Sequence, residues 1–307
     1  MKLTAPVILF RYSITPSLHH SALLLLLLST LNSQLSTGRA ATTINVTNKF
    51  AYGANIGWMD WRSDTNNGAV IGEFVCSGFI YAANVGWINL GNGTPTNGIQ
   101  YKNLSANDFG VNQDGLGSLR GFAYGANIGW INFETNGAPK VDLKSGKLSG
   151  FAYSANCGWI SLSNAFAVVK TDTIPGGIDS NANGLADAWE RTYFGAIGVD
   201  PNADPDGDGM SNLQEYLAGT NPTNSADNLR ITAFSSSPDG TAADVTWSSV
   251  PTRCYFIQET LDLNPPSWFD SGLGQIAPDG STTTRGVFGA TAPMRFYRVQ
   301  AVGPLAP

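Results

Sequence analysis

Charge is scarce in this chain. Of its 307 residues only 13% are charged, about half the roughly 25% usual for soluble domains. Histidine is scarcer still: only His19 and His20 occur, both just upstream of a leucine run. If that N-terminal stretch is removed, no histidine is left, which excludes Ser-His-Asp triads, histidine-ligated zinc and imidazole proton shuttles. Three cysteines are too few for a disulfide scaffold. A net charge of -6 and pI ≈ 4.8 argue against nucleic acid as a partner, which calls for basic patches. What the chain has in quantity is glycine, 35 residues, and aromatic side chains, 11%. With few charges this predicts a turn-rich, mainly β protein, and the length predicts two or three domains.

Residues 1–40 read as a signal peptide. Lys2 and Arg11 supply a positive start, and Leu23–Leu28 form the centre of an apolar stretch too short to span a bilayer. Gly38-Arg39-Ala40 offers small residues at the cleavage positions, so the cut is expected after Ala40; an uncleaved anchor is the alternative. No other segment is long and apolar enough to cross a membrane, so no span is expected after removal. The expected location is secreted, extracellular or cell-surface.

Residues 41–170 carry an internal repeat. The copies are Phe50-Ala-Tyr-Gly-Ala-Asn-Ile-Gly-Trp58, Phe79-Ile-Tyr-Ala-Ala-Asn-Val-Gly-Trp87, Phe122-Ala-Tyr-Gly-Ala-Asn-Ile-Gly-Trp130 and Phe151-Ala-Tyr-Ser-Ala-Asn-Cys-Gly-Trp159. Phe and Tyr stand two apart and so share one side of a strand. Ala-Asn-x-Gly is turn chemistry, and Trp opens the return strand. Four β-hairpins follow, each preceded by a further short strand. A solenoid, a closed sheet array or a small propeller fits this pattern. The third copy follows extra residues around Gly98 to Asp114, read as a longer loop on one face. Identical large side chains in every repeat are expected to stack into one continuous interior; the alternative is a row of exposed rings for sugars or other cell-surface polymers. Cys76 and Cys157 fall in columns otherwise held by apolar residues and read as small buried side chains; a bridge between them has no specific support. The pattern resembles Asn-x-Gly-Trp-Ile hairpin repeats of exported bacterial proteins, a resemblance that implies no activity.

Residues 171–228 are acidic. Between Asp172 and Glu215 stand nine acids and one base, Arg191, a density that calls for neutralising cations. The spacing supplies their ligands. Asp179, Asn181, Asn183, the Leu185 carbonyl, Asp187 and Glu190 occupy positions 1, 3, 5, 7, 9 and 12 of one loop, with Gly184 at the sharp turn. Asp204, Asp206, Asp208, the Met210 carbonyl, Asn212 and Glu215 repeat the plan around Gly209. This is the EF-hand pattern, and hard oxygen donors favour calcium, so two Ca²⁺ sites are expected. The first loop has one acid fewer among its ligands, so tighter binding is expected at the second. Short helices are predicted over 186–193 and 211–218, with Trp189/Tyr193 and Leu213/Leu217 as apolar pairs that pack them together. The Asp204–Pro222 stretch is similar to bacterial thrombospondin type 3-like calcium repeats, and dockerins share the loop-then-helix plan. The first resemblance implies structural calcium between domains; the second implies docking to a scaffold.

Residues 229–307 hold six or seven short strand signals separated by turns such as Pro238-Asp-Gly240, which suggests an immunoglobulin- or fibronectin-like β-sandwich. Its Thr246–Tyr255 and Arg295–Arg298 segments resemble C-terminal modules found beside type 3-like repeats, which implies adhesion, spacing or sorting. The fold expected is therefore mainly β: an array of four aromatic hairpins, a short loop-helix calcium segment and a C-terminal sandwich. The function expected is a non-catalytic structural or interaction protein with a calcium-stabilised joint, partnered by a cell-surface polysaccharide or a protein. The alternatives are a carbohydrate-binding protein using the repeat aromatics, and a glycan-active enzyme. The enzyme would need paired carboxylates from Glu73, Glu134, Glu259, Asp60, Asp64, Asp108, Asp114 or Asp142, and no motif singles any of them out.

Overall fold

The computed structural model describes residues 42–289 and 294–305. The signal-peptide reading of residues 1–40 lies outside them. The protein is mainly β, as expected, and the four hairpins close on themselves. The strands Ile44–Gly53 and Gly57–Asp60, Phe79–Ala82 and Gly86–Asn89, Leu119–Gly125 and Gly129–Asn132, and Phe151–Ser154 and Gly158–Ser161 pair in chain order. The last strand then returns to the first, with Tyr52 opposite Ser161 and Gly53 opposite Ile160. Of the three arrangements open to the sequence, the closed sheet is the one formed: an eight-stranded antiparallel barrel that leaves no free hairpin edge.

The barrel is narrow, and the alternation of each strand decides what fills it. The inward cross-strand pairs are Ala51 with Met59, Ile80 with Ile88, Ala123 with Ile131, and Ala152 with Ile160. Ile56, Val85, Ile128 and Cys157 cover the tip end, and Trp61, Leu90, Phe133 and Leu162 form a ring further along the strands; all are buried. Small and medium side chains suit an eight-stranded interior, which side chains alone can fill. The interior expected for the repeat Phe, Tyr and Trp is therefore corrected. Three of the four hairpins place Ala opposite Met or Ile inside, and the aromatic column takes the outer face.

Beyond the strand ends opposite the tips, the barrel core is extended by shorter pieces. Val70–Ile71 pairs with Cys76–Ser77, Lys140–Val141 with Leu148–Ser149, Val111–Gln113 joins the Leu119–Gly125 strand, and Val169–Thr171 joins Ile44–Gly53. They add Ile71, Cys76, Val111, Leu119, Val141, Leu148 and Val169 to one continuous core. Cys76, Cys157 and Cys254 are all free and buried.

Two helices follow: α1, Asp187–Phe194, and α2, Asn212–Ala218. Both end on a left-handed glycine, Gly195 and Gly219, the usual device for stopping a helix. Ser211 and Gln214 start α2 with a reciprocal capping box. The C-terminal module has two three-stranded sheets. One is Ile231–Ser236, Ala242–Ser248 and Thr282–Phe288; the other is Phe269–Asp270, Cys254–Thr260 and Phe296–Val302. Val245, Trp247, Tyr255, Ile257 and Val287 fill the space between them. Among the described residues no helix is long and apolar enough to cross a membrane.

Candidate metal centre and outward aromatic face

In the second acidic loop, alternate side chains turn inward and brace the backbone. Asp204 accepts from the Gly207 and Gly209 N–H groups at 2.9 and 2.7 Å. Asp206 accepts from Asp208 N at 3.1 Å, and Asp208 from Met210 N at 2.7 Å. Gly209, with φ +91°, makes the turn that side chains resist. The outcome is convergence: one oxygen each from Asp204, Asp206 and Asp208 lies within 4.8 Å of the others. Among the described residues this is the only such group of three.

α2 presents two more oxygens to the same region. Glu215 and Asn212 are 0% exposed. Asn212 donates through Nδ2 to the Asp200 carbonyl at 2.8 Å, and Glu215 Oε1 accepts from the Thr220 hydroxyl at 3.4 Å. Glu215 Oε2, Asn212 Oδ1 and Asp206 Oδ2 are cut off from solvent with no partner among the described residues. A buried carboxylate oxygen without a partner is costly. Burial first, and then the charges of Asp206 and Asp208, push the Glu215 carboxyl up to about 8. Burial and the neighbouring Asp208 and Asp204 raise Asp206 as well. The set is all oxygen and rich in negative charge, which suits a hard cation.

The first loop has the same backbone frame and different side-chain use. Asp179 accepts from Asn183 N and Gly184 N at 3.2 and 2.9 Å, and Asn181 Oδ1 also accepts from Asn183 N. Asn183 Nδ2 donates to Glu190 Oε1 at 3.0 Å and to the Val199 carbonyl at 2.9 Å. Glu190, fully buried, takes further N–H groups from Gly198 and Val199 on that same oxygen, while Oε2 has no partner among the described residues. Asp187 accepts from Ser180 N. Leu185, like Met210 in the second loop, buries its side chain. The three acids of this loop do not converge as those of the second do.

The two helices meet through Trp189, whose ring lies 5.2 Å from Tyr193 and 5.5 Å from Tyr216. Leu213 packs there too. Leu217 does not: it is exposed, so the expected Leu213/Leu217 packing pair is corrected. Tyr216, one residue earlier, carries the contact instead. Arg253, from the C-terminal module, is the residue the sequence reading missed. Its guanidinium donates to Glu73 Oε1 at 2.8 Å, to the Tyr216 carbonyl at 2.8 Å and to the Leu217 carbonyl at 3.0 Å. One buried side chain thus touches barrel, helix and module. No local signal marks it, because its three partners come from distant parts of the chain.

The other candidate carboxylates are engaged structurally. Asp60 pairs with Lys49, Glu259 with Arg295 and Glu73 with Arg253. Glu134 accepts from Gly121 N. Asp64, Asp108, Asp114 and Asp142 hold loop backbones.

On the barrel's outer face each hairpin bears one aromatic triad. Trp58, Trp87, Trp130 and Trp159 are 46–50% exposed. Each is flanked by the Tyr of its own hairpin at ring-centre distances of 4.9–5.4 Å and by the Phe at 5.9–6.2 Å. Polar residues separate the triads: Tyr52 faces Ser161, Tyr81 faces Asp60, Tyr124 faces Asn89 and Tyr153 faces Asn132. The surface is therefore a mosaic of rings with amide, hydroxyl and carboxylate groups between them, at ordinary aromatic pairing distances. Comparison with protein-family models, with curated proteins and with solved structures finds no match to this chain.

Proposed function

We propose that this is an exported, non-catalytic structural and interaction protein whose acidic segment binds calcium and stiffens the joint between the barrel and the C-terminal module. The supporting observation is the set of unpartnered oxygens at Glu215, Asn212 and Asp206 beside the converging Asp204, Asp206 and Asp208. Without a cation these groups repel one another and lack water; with one they become its ligands. In the second loop the ligands are Asp204, Asp206, Asp208, the Met210 carbonyl, Asn212 and Glu215. A second ion in the first loop would use Asp179, Asn181, Asn183, the Leu185 carbonyl, Asp187 and Glu190, after Asn183 turns its amide oxygen inward.

Thermal unfolding of the full chain with calcium and with a chelator tests this. Calcium at a hundred times its Kd adds about 2.7 kcal/mol of stability, so chelation lowers Tm by several degrees. Glu215→Gln removes most of that calcium response and makes the chelated protein more stable at neutral pH, because a carboxyl pushed up to about 8 must take up a proton to stay buried and the amide need not. Equal Tm values with and without calcium would sink the proposal.

The outward triads favour a second reading, recognition of a polymeric carbohydrate. Half-exposed Trp rings at four equivalent positions offer faces for sugar rings, with polar groups between them for hydroxyls. A glycan array probed with the full chain tests it: retention on no glycan overturns it.

A further inference from the structure

The third aromatic triad gains a further ring from the loop before its hairpin. The extra residues before the third hairpin bring Phe109 to 5.1 Å from Trp130 and 6.3 Å from Tyr124. Phe109 and Trp130, together with Leu104, Phe122, Asn103 and Ser105, line an open depression of about 420 Å³, within the size range of small-molecule sites. Leu104 at its rim is 87% exposed.

The loop is held in place. Asp108, buried, accepts from Thr96 N, the Thr96 hydroxyl and Lys102 N at 3.1, 2.8 and 3.2 Å. Tyr101, also buried, donates its hydroxyl to the Cys76 carbonyl at 3.3 Å and accepts from Gly93 N at 2.6 Å. The insertion is thus braced internally by Asp108 and tied to the extended barrel core by Tyr101, and little ordering is needed on binding.

We propose that this depression is the primary sugar subsite of the protein and takes one neutral hexopyranose unit of a glycan. The inference rests on the carbohydrate reading of the triads and assigns it to one place. Ring carbons and Leu104 supply an apolar floor and wall for the C–H face of a sugar. The exposed Ser105 hydroxyl supplies a hydrogen bond, the Asn103 amide oxygen being taken by Gly110 N at 3.0 Å, and no ionised side chain lines the space. A phosphate or uronate would lose its hydration with no cation to receive it. An acyl chain or an apolar peptide side chain would bury the Ser105 hydroxyl unpaired.

Intrinsic tryptophan fluorescence of the full chain, titrated with hexamers of β-1,4-glucose, α-1,4-glucose and β-1,4-N-acetylglucosamine, tests the proposal. Saturable binding to at least one is expected, with Kd from about 10 μM to about 1 mM. Trp130→Ala and Phe109→Ala weaken it at least about ten-fold, equivalent to about 1.4 kcal/mol. Trp58→Ala and Trp87→Ala change it less than about two-fold on the same affinity scale. Leu104→Ala, at an exposed rim position, weakens binding while leaving Tm unchanged, which separates recognition from folding. Equal losses at Trp58, Trp87 and Trp130 overturn the subsite and leave the shared aromatic face standing. No binding to any hexamer, with or without binding to phosphatidylcholine vesicles or self-association through Trp130, overturns both.

Discussion

At each hairpin tip two side chains share one space. Gly53 precedes Ile56, and a Cβ on Gly53 would lie 2.8 Å from the Ile56 Cγ1; Gly125 stands to Ile128 in the same way at 2.9 Å. The other two hairpins solve the crowding differently. Ala82 is followed by Val85, and Ser154 by Cys157, so where the strand residue gains a side chain the tip residue is smaller than Ile. The four pairs are alternative fillings of one volume, as close packing demands. Gly125→Ala alone therefore costs about 1–3 kcal/mol through overpacking. Gly125→Ala with Ile128→Val, which recreates the Ala82/Val85 solution, recovers most of it. Urea unfolding of the two single variants and the double variant measures the coupling; strict additivity would count against a shared volume.

One hairpin becomes a barrel through a repeated side-chain contact that runs between hairpins. Asn84 Nδ2 donates to the Ile56 carbonyl, Asn127 to Val85, Asn156 to Ile128 and Asn55 to Cys157, at 3.0–3.1 Å. Each tip is tied to the tip before it, and the fourth bond closes the ring. The following glycines, at φ 71–81°, complete the turns that hold those amides in place. This explains why Asn recurs in all four copies when turn chemistry alone would accept Asp or Ser. Asn127→Ala should cost about 0.5–1.5 kcal/mol, the worth of one hydrogen bond. Asn127→Asp should cost more at neutral pH, because a carboxylate would face the Val85 carbonyl. That excess shrinks on acidification: the folded form favours the protonated acid, so stability is regained as pH falls toward the ordinary Asp range near 3.9. Melting curves at pH 7 and pH 4 check the sign. The hairpins and their turns were legible in the sequence, because a period of two and four near-identical copies leave little freedom. The inner face was not. Alternation says which residues share a side, and only the barrel's bore says that Ala and Ile go inside while Trp goes out. The acidic loops were legible as spacing, whereas the turn of the Asn183 amide toward Glu190 and the Val199 carbonyl depends on backbone that folds back after α1.

Across the whole molecule the acidic segment lies between two modules that hardly need charge of their own. Without residues 1–40 the chain holds 14 bases against 23 acids, and eight units of that imbalance fall between Asp172 and Glu215. Phe74 of the barrel packs with Trp189 and Tyr216, and Arg253 binds Glu73 together with the last carbonyls of α2. A guanidinium suits the negative end of a helix, and it reaches four acceptors, Glu73 Oε1 and the Thr252, Tyr216 and Leu217 carbonyls, one more than the three donors of a lysine can serve. Arg253 is also next to the Glu215 helix turn: a Cβ added at Gly219, which stops α2, would lie 3.0 Å from the Arg253 Cγ. A cation that fixes Glu215 at one end of this turn thereby fixes the carbonyls that seat Arg253 at the other. Arg253→Ala leaves Glu73 without its buried partner and is expected to cost about 3–5 kcal/mol. It also frees the modules to move apart, so small-angle scattering of the full chain shows a larger radius of gyration even with calcium present. Chelation of the unsubstituted protein gives the same expansion with Arg253 intact. Expansion on chelation but not in Arg253→Ala would place the hinge control in the loop alone, and no expansion in either would mean that the joint is held by the Phe74 and Trp189 packing instead.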